Sequence, residues 1–361
     1  MVSFEISILG ACGGPLDGCN QGFLLSEAGT HEEKHYMCVD AGSGLRQIAD
    51  MMDKSCTNTR QANLDCREDM VQSLYERTQE PLHKFVDARC QVIRGLGSIP
   101  KTDSNETTMT RALRLLNNIG DYFITHPHLD HVAALAINSP AFSGPEKTVW
   151  GLPATTEAIQ KHIFNDIVWP NLFAQNKIKI RMSVLEEARS YHIKSIPNWS
   201  VTAFQVSHGV MIESRLPCIS TLYLIQNTLT KDSVLMCGDL ESDVVSHQPL
   251  LAGVWRHLSL TIPLKHLKGI YIECSSSNGI EDTQLYGHLS PKYLVYELKQ
   301  LSRAYGSALD GLQVSIIHVK MALGEVDPRL QVLDQVRTIA AAEGLGGIIF
   351  TMALQGYTFV L

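Results

Sequence analysis

No lysine and arginine cluster occurs in this 361-residue chain, and its formal net charge is −7. A nucleic-acid partner needs a basic face to meet phosphate, so none is expected. No apolar run approaches the length that crosses a bilayer, so no membrane span is expected. Met1-Val2-Ser3-Phe4-Glu5-Ile6 lacks both the basic segment and the long apolar core of a secretory signal. The nine cysteines include no C-x-x-C pair, which argues against a zinc ribbon and against a thioredoxin-like site. Cys38, Cys237 and Cys274 lie inside apolar runs and are expected to be buried thiols in a reducing cytosol, so a cytoplasmic location is expected. The sequons at Asn105 and Asn198 carry no weight without secretion. No strong internal repeat is present.

A hydrophobic fraction of 45% is ample for a large core. The expected organisation is one α/β domain over residues 1–361, with a partly helical insertion at 53–110. Alternation at Val2, Phe4, Ile6 and Ile8 predicts a first strand. Residues 22–25 and 36–39 predict two more. The third ends at Asp40 before Gly42-Ser43-Gly44, where a carboxylate can accept bonds from loop amides or orient a ligand; the structural role is the expectation. Helical spacing follows over Leu45–Met52 and Met109–Leu116.

The most informative stretch is Thr125-His126-Pro127-His128-Leu129-Asp130-His131. An apolar run precedes it and another follows, predicting strand, turn and helix. Pro127 disfavours helical geometry at His126, which places the histidines on a turn at a strand end. Imidazole and carboxylate together are typical zinc donors, and packing four such groups without a metal would leave them no shared partner. Later strands also end in a histidine or an acid. They are 201–206 before His208, 233–237 before Asp239, 269–272 before Glu273 and 313–317 before His318. Further expectations are a strand at 148–151, a strand at 178–182 and a helix capped by Thr156 with Ile159, Ile163 and Ile167 on its apolar face, His162 being structural. Ser290 and Pro291 open a helix carrying Leu294, Leu298 and Leu301. Ligands gathered from several strand ends make a site at one sheet edge, and two similar halves suggest two sheets packed face to face with helices outside.

The turn T-H-x-H-x-D-H at 125–131, with His208, Asp239 and His318 after it, resembles the metallo-β-lactamase superfamily. The run from His126 to Val132, continuing to Asn138-Ser139-Pro140, is similar to the signature of class II cyclic-nucleotide phosphodiesterases. Ala134 departs from the glycine or serine of that signature, a mild change on a helix. Phe4–Ile6 to Gly13-Gly14-Pro15, Trp150–Pro153, Tyr286–Pro291 and His318–Lys320 extend the resemblance over nearly the whole chain outside 53–110.

The resemblance implies an αββα sandwich with a dinuclear centre and a bridging hydroxide. It implies His126, His128 and His208 around one divalent ion, and Asp130, His131 and His318 around a second, Asp130 sharing in catalysis. Asp239 would bridge the two. Zinc is the expected occupant, with manganese or iron also compatible with such donors. His288 and Glu273 resemble a proton-transfer pair, the rival being His288 as a further ligand of the second ion. The implied reaction is hydrolysis of 3′,5′-cyclic AMP, and of cyclic GMP, to the 5′-monophosphate, and the resemblance suggests a homodimer. Against it stand another hydrolase on the same fold (a tRNA 3′-processing nuclease, a thioesterase or a lactonase), a nucleotide-binding protein without catalysis, and a structural metal protein. The acidic balance disfavours the nuclease, the intact metal set disfavours the binder, and aspartates among the ligands disfavour a closed structural site.

Overall fold

A computed structural model describes residues 3–29, 34–55, 71–75, 80–97, 106–174, 180–321 and 324–361. The first half of the chain supplies β1 (Phe4–Gly10), β2 (Gly22–Glu27), β3 (Tyr36–Val39), β4 (Gln91–Arg94), β5 (Ile119–Phe123), β6 (Lys147–Gly151) and β7 (Ile180–Val184). The second half supplies β8 (Ser190–His192), β9 (Trp199–Val210), β10 (Pro217–Asn227), β11 (Ser233–Cys237), β12 (Leu267–Glu273), β13 (Gln313–Ile317) and β14 (Ile349–Met352). The last strand, β15 (Tyr357–Val360), returns to the first sheet between β4 and β1. Among the described residues the first sheet has eight strands, ordered β4-β15-β1-β2-β3-β5-β6-β7, and the second has seven, ordered β14-β13-β12-β11-β10-β9-β8.

Side-chain alternation decides how the layers stack, because successive strand residues point to opposite faces. Phe23 and Leu25 of β2, Met37 and Val39 of β3 and Phe123 of β5 join Val201, Leu222, Met236 and Ile270 of the second sheet in one buried cluster. The intervening residues, Leu24, Cys38 and Tyr122, belong to a second cluster with helices α1 (Leu45–Ser55), α2 (Thr108–Asn118) and α3 (Leu129–Asn138). Both faces of these strands are therefore covered, which is why they read as almost continuous apolar runs. After α4 (Pro153–Ala158) and the single-turn α5 (Asp243–Ser246), three longer helices follow: α6 (Leu250–Thr261), α7 (Pro291–Tyr305) and α8 (Pro328–Ala342). Trp255, Leu294, Leu298 and Val332 from α6, α7 and α8 pack into the first cluster from the second sheet's side. Each such side chain withdrawn from water contributes about 1.5–3 kcal/mol. The layers run helix, sheet, sheet, helix.

Local differences from the sequence expectations have identifiable causes. Gln91–Arg94 forms an edge strand paired with β15, inside the segment expected to be a partly helical insertion; four residues without a clear period give little signal. Residues 56–70, 76–79 and 98–105 of that segment lie outside the described residues, as do 178 and 179 of the strand expected at 178–182. The helix expected to start at Thr156 starts at Pro153, whose fixed φ suits the first helical position. Thr156 instead donates its hydroxyl back to the carbonyl of Pro153. A π-turn over Ile159–Ile163 then ends the helical segment, so Ile167 lies beyond it and is exposed, as is His162. The strand expected to stop at Val206 runs on to Val210, so His208 lies within β9. Among the described residues no helix is long and apolar enough to cross a membrane.

Lys147 opens β6 with its side chain wholly buried, donating to the Asn117 carbonyl at 2.6 Å. Burial pushes its ammonium down to about 8 from 10.5. Between those values the unfolded chain binds the proton and the folded chain does not, so stability contributed by this group rises with pH across that window. Thermal melts of wild type and Lys147→Met from pH 7 to 11 test this. The melting temperature of the wild type is expected to gain on that of the variant above pH 8, and parallel curves would refute it.

Candidate metal centre

β3 and β5 run parallel in the first sheet, and β11, β12 and β13 run parallel in the second. Parallel strands send their carboxyl ends to one edge, where α/β sheets gather ligands. Asp40 follows β3, the turn with His126, His128, Asp130 and His131 follows β5, and Asp239 follows β11. Glu273 ends β12, and His318 follows β13. His208 comes from β9, and His288 from the loop before α7.

These residues meet in three overlapping groups of donor atoms, each group within 4.8 Å: His126, His128, His208 and Asp239; Asp130, His131, Asp239 and His318; and Glu273, His288 and His318. Asp239 belongs to both of the first two. Its Oδ2 lies 3.7 Å from His126 Nε2, 3.4 Å from His131 Nε2 and 3.7 Å from His208 Nε2. Its Oδ1 lies 3.3 Å from His318 Nε2.

The surrounding hydrogen bonds assign the tautomers. Asp40 Oδ2 can only accept, so His131 Nδ1, 2.8 Å away, donates to it. The Gly287 carbonyl accepts from His208 Nδ1 at 2.8 Å. Thr125 donates its hydroxyl to Asp40 and accepts from His126 Nδ1 at 3.1 Å. Ser275 Oγ stands 3.1 Å from His318 Nδ1. Each ring is thus held by Nδ1 and presents the lone pair of Nε2 inward. His131 Nε2 and His318 Nε2 are only 3.3 Å apart, with carboxylates beside both. His126 Nε2 and Asp239 Oδ1 are buried without a hydrogen bond. Lone pairs aimed at lone pairs and carboxylates repel unless a cation or a proton sits between them. The donor set therefore fits divalent metal, and imidazole nitrogen mixed with carboxylate oxygen suits zinc.

The electrostatics agree. Burial pushes His126 well below its ordinary range and His208 down to about 4, keeping both neutral as ligands must be. Burial works against protonation of His131 too, but Asp239 and Asp40 outweigh it and hold the ring well above the usual range. The centre draws a positive charge to that position. Asp239 is held far below the carboxylate range, against the effect of burial, by His318 and His131.

Two backbone features set these groups at their distances. A Cβ on Gly13 would stand 2.6 Å from His318 Nδ1, so only glycine lets that loop pass. Gly287 adopts φ +83°, and a Cβ there would come within 2.5 Å of the His208 backbone. That close approach lets its carbonyl orient the His208 ring.

All nine side chains singled out from the sequence converge here. The assignment of Asp40 needs correction: beyond accepting the Thr125 amide, it orients His131. The sequence motif contains Thr125 without assigning it a role, and nothing in the local sequence marks Ser275 or the Gly287 carbonyl as partners of the histidines. Glu273 is saturated by donors: Oε1 accepts from Leu240 N and His288 Nδ1 at 2.9 and 2.8 Å, and Oε2 from Ser275 Oγ and Leu289 N at 2.6 and 3.2 Å. Such a carboxylate has little left for a metal and acts by orienting His288. Burial opposes protonation of His288, yet Glu273 raises its affinity for a proton above the ordinary value. Beside His128 and His208 a groove of about 960 Å³ opens, lined by Met211, Ile212, Arg215 and Tyr286 among others.

The family described as cAMP phosphodiesterases class-II matches residues 37–356. The chain is 38% identical to 3′,5′-cyclic-nucleotide phosphodiesterase 1 of Saccharomyces cerevisiae, over all of both chains. It superposes on the crystal structure of unliganded yeast PDE1 with a TM-score of 0.91 at 36% identity, again over all of both chains. A metallo-β-lactamase fold protein of Bacillus subtilis, YhfI, aligns with a TM-score of 0.56 at 11% identity over the full length of both, which bears on the fold alone.

Proposed function

Because the chain belongs to the class-II cAMP phosphodiesterases, we propose that it hydrolyses 3′,5′-cyclic AMP, and also cyclic GMP, to the nucleoside 5′-monophosphate at a dinuclear zinc centre. The observation that carries this reading is the convergence of four imidazole Nε2 lone pairs on the one carboxylate of Asp239. His126, His128 and His208 would hold one ion and Asp130, His131 and His318 the other, with Asp239 common to both. When bound, such a pair supplies Lewis acidity to phosphoryl oxygens and lowers the pKa of a water toward neutrality.

The remaining work falls to this chain's own groups. The groove beside His128 and His208 takes the nucleoside, placing the cyclic phosphate at the cluster. Asp130, held ionised through its contact with His318 despite burial, helps fix that ring. As water adds to phosphorus the bond to the 3′-oxygen breaks, and that oxygen leaves as a poor alkoxide. His288, its Nδ1 fixed on Glu273, gives the proton from its other nitrogen. Six of the seven cysteines among the described residues are buried, which suits a reducing compartment such as the cytosol. A homodimer, as in the sequence reading, belongs to this proposal.

Purified protein given cyclic AMP should yield 5′-AMP, should lose activity on chelation, and should leave pre-tRNA and β-lactams untouched. Phosphorus NMR of the product decides the bond cleaved. Accumulation of 3′-AMP would refute the assignment of the leaving group.

A further inference from the structure

Ser275 joins the two halves of the centre. Its hydroxyl lies 2.6 Å from Glu273 Oε2, 2.8 Å from the His318 carbonyl, 3.1 Å from His318 Nδ1 and 3.3 Å from His288 Nδ1. It has one hydrogen to give. Two acceptors compete for it, Glu273 Oε2 at 2.6 Å and the His318 carbonyl at 2.8 Å; given to the nearer, charged carboxylate, it leaves the lone pairs of Oγ to the ring N–H groups. The chain of bonds is then His318 Nδ1–H to Ser275 Oγ–H to Glu273 carboxylate. Glu273 touches His288 directly and reaches His318 through the serine.

We propose that Ser275 is a positioning residue through which Glu273, the partner of the acid His288, also fixes the tautomer and orientation of His318 for the second metal ion. Asp40 does the same for His131 by direct contact. For His318 the carboxylate stands one group further away, and Ser275, itself 1% exposed, fills the gap. One buried carboxylate thereby serves both an acid and a ligand. The inference rests on the dinuclear reading.

Metal-free protein titrated with zinc against a chromophoric chelator yields two stepwise affinities. Ser275→Ala is expected to weaken the second by about 10–100-fold, the usual effect of removing the partner behind a ligating histidine. The first affinity should not change. Ser275→Thr keeps the hydroxyl and should restore the second site. Ser275→Cys preserves the packing with a poor hydrogen-bonding group and should behave like alanine, which keeps the test alive should the alanine variant fail to fold. Unchanged affinities in Ser275→Ala or Ser275→Cys would overturn the proposal. Equal losses at both sites that threonine does not repair would overturn it too, since they would make Ser275 a packing residue. A wild-type protein that binds only one ion would instead strike the dinuclear reading itself, and the two failures are distinct.

Discussion

Asp239→Ala is expected to retain no more than one divalent ion and to lose at least about 10³-fold in kcat/KM for cyclic AMP, equivalent to about 4 kcal/mol of transition-state stabilisation. Asp239 is the residue common to both of the donor groups that would hold the ions. Its two oxygens face the rings of His126, His131 and His208 on one side and His318 on the other. Without the carboxylate, the inward lone pairs lose the negative charge that makes a cation welcome. Asp239→Asn keeps the shape and one acceptor oxygen but not the charge, so it separates geometry from electrostatics. If charge dominates, the asparagine variant resembles alanine in both metal content and rate. Metal analysis of each purified variant, beside steady-state kinetics, gives the answer. Two ions and full activity in Asp239→Ala would sink the shared-carboxylate mechanism.

The second large effect concerns His288 and depends on the leaving group. A ribose 3′-alkoxide needs a proton as it departs, whereas a nitrophenolate hardly does. His288→Ala should slow cyclic AMP hydrolysis by about 10²–10⁴-fold, the usual worth of a positioned acid, and slow a nitrophenyl phosphodiester far less. Both ions should remain. The geometry motivates this pattern: His288 Nδ1 is 2.8 Å from a Glu273 carboxylate whose other contacts are all donors. His318→Ala should give the opposite signature, with both substrates slowed together and metal lost, because its Nε2 faces Asp130 and Asp239 at 3.2 and 3.3 Å. Equal losses with depleted metal in His288→Ala, and intact metal in His318→Ala, would exchange the two roles.

The parts of this site that were legible in the sequence are those with a local signature. His126, His128, Asp130 and His131 stand within six residues of one another beside a helix-breaking proline. His208, Asp239, Glu273 and His318 are polar residues at or near the ends of apolar strands, which is conspicuous in any alternating pattern. What was not legible depends on distance along the chain. Asp40 meets His131 across 91 residues, and the Gly287 carbonyl meets His208 across 79. A carboxylate before a glycine loop looks the same whether it caps amides or aims a ring. Ser275 is ordinary as a residue type and matters only because β12 and β13 are neighbours in the sheet. In the fold, the layers could be read from strand runs long enough to bury both faces, whereas β4 and the start of α4 turn on four residues and one proline.

The centre also has a mechanical side. Asp130 and His131 open α3, just after β5 of the first sheet, whereas His208, Asp239 and His318 belong to the second. An ion gripped by His131 and His318 would close a loop of 187 residues, as a covalent cross-link does, and remove part of the freedom of the unfolded chain. It would also rivet one sheet to the other at a single edge, whereas the apolar cluster between them is held by contacts with no preferred direction. Loss of metal should therefore let the two layers shear at that edge before either sheet comes apart, with the binding free energy of the ions setting how firmly the sandwich is clamped.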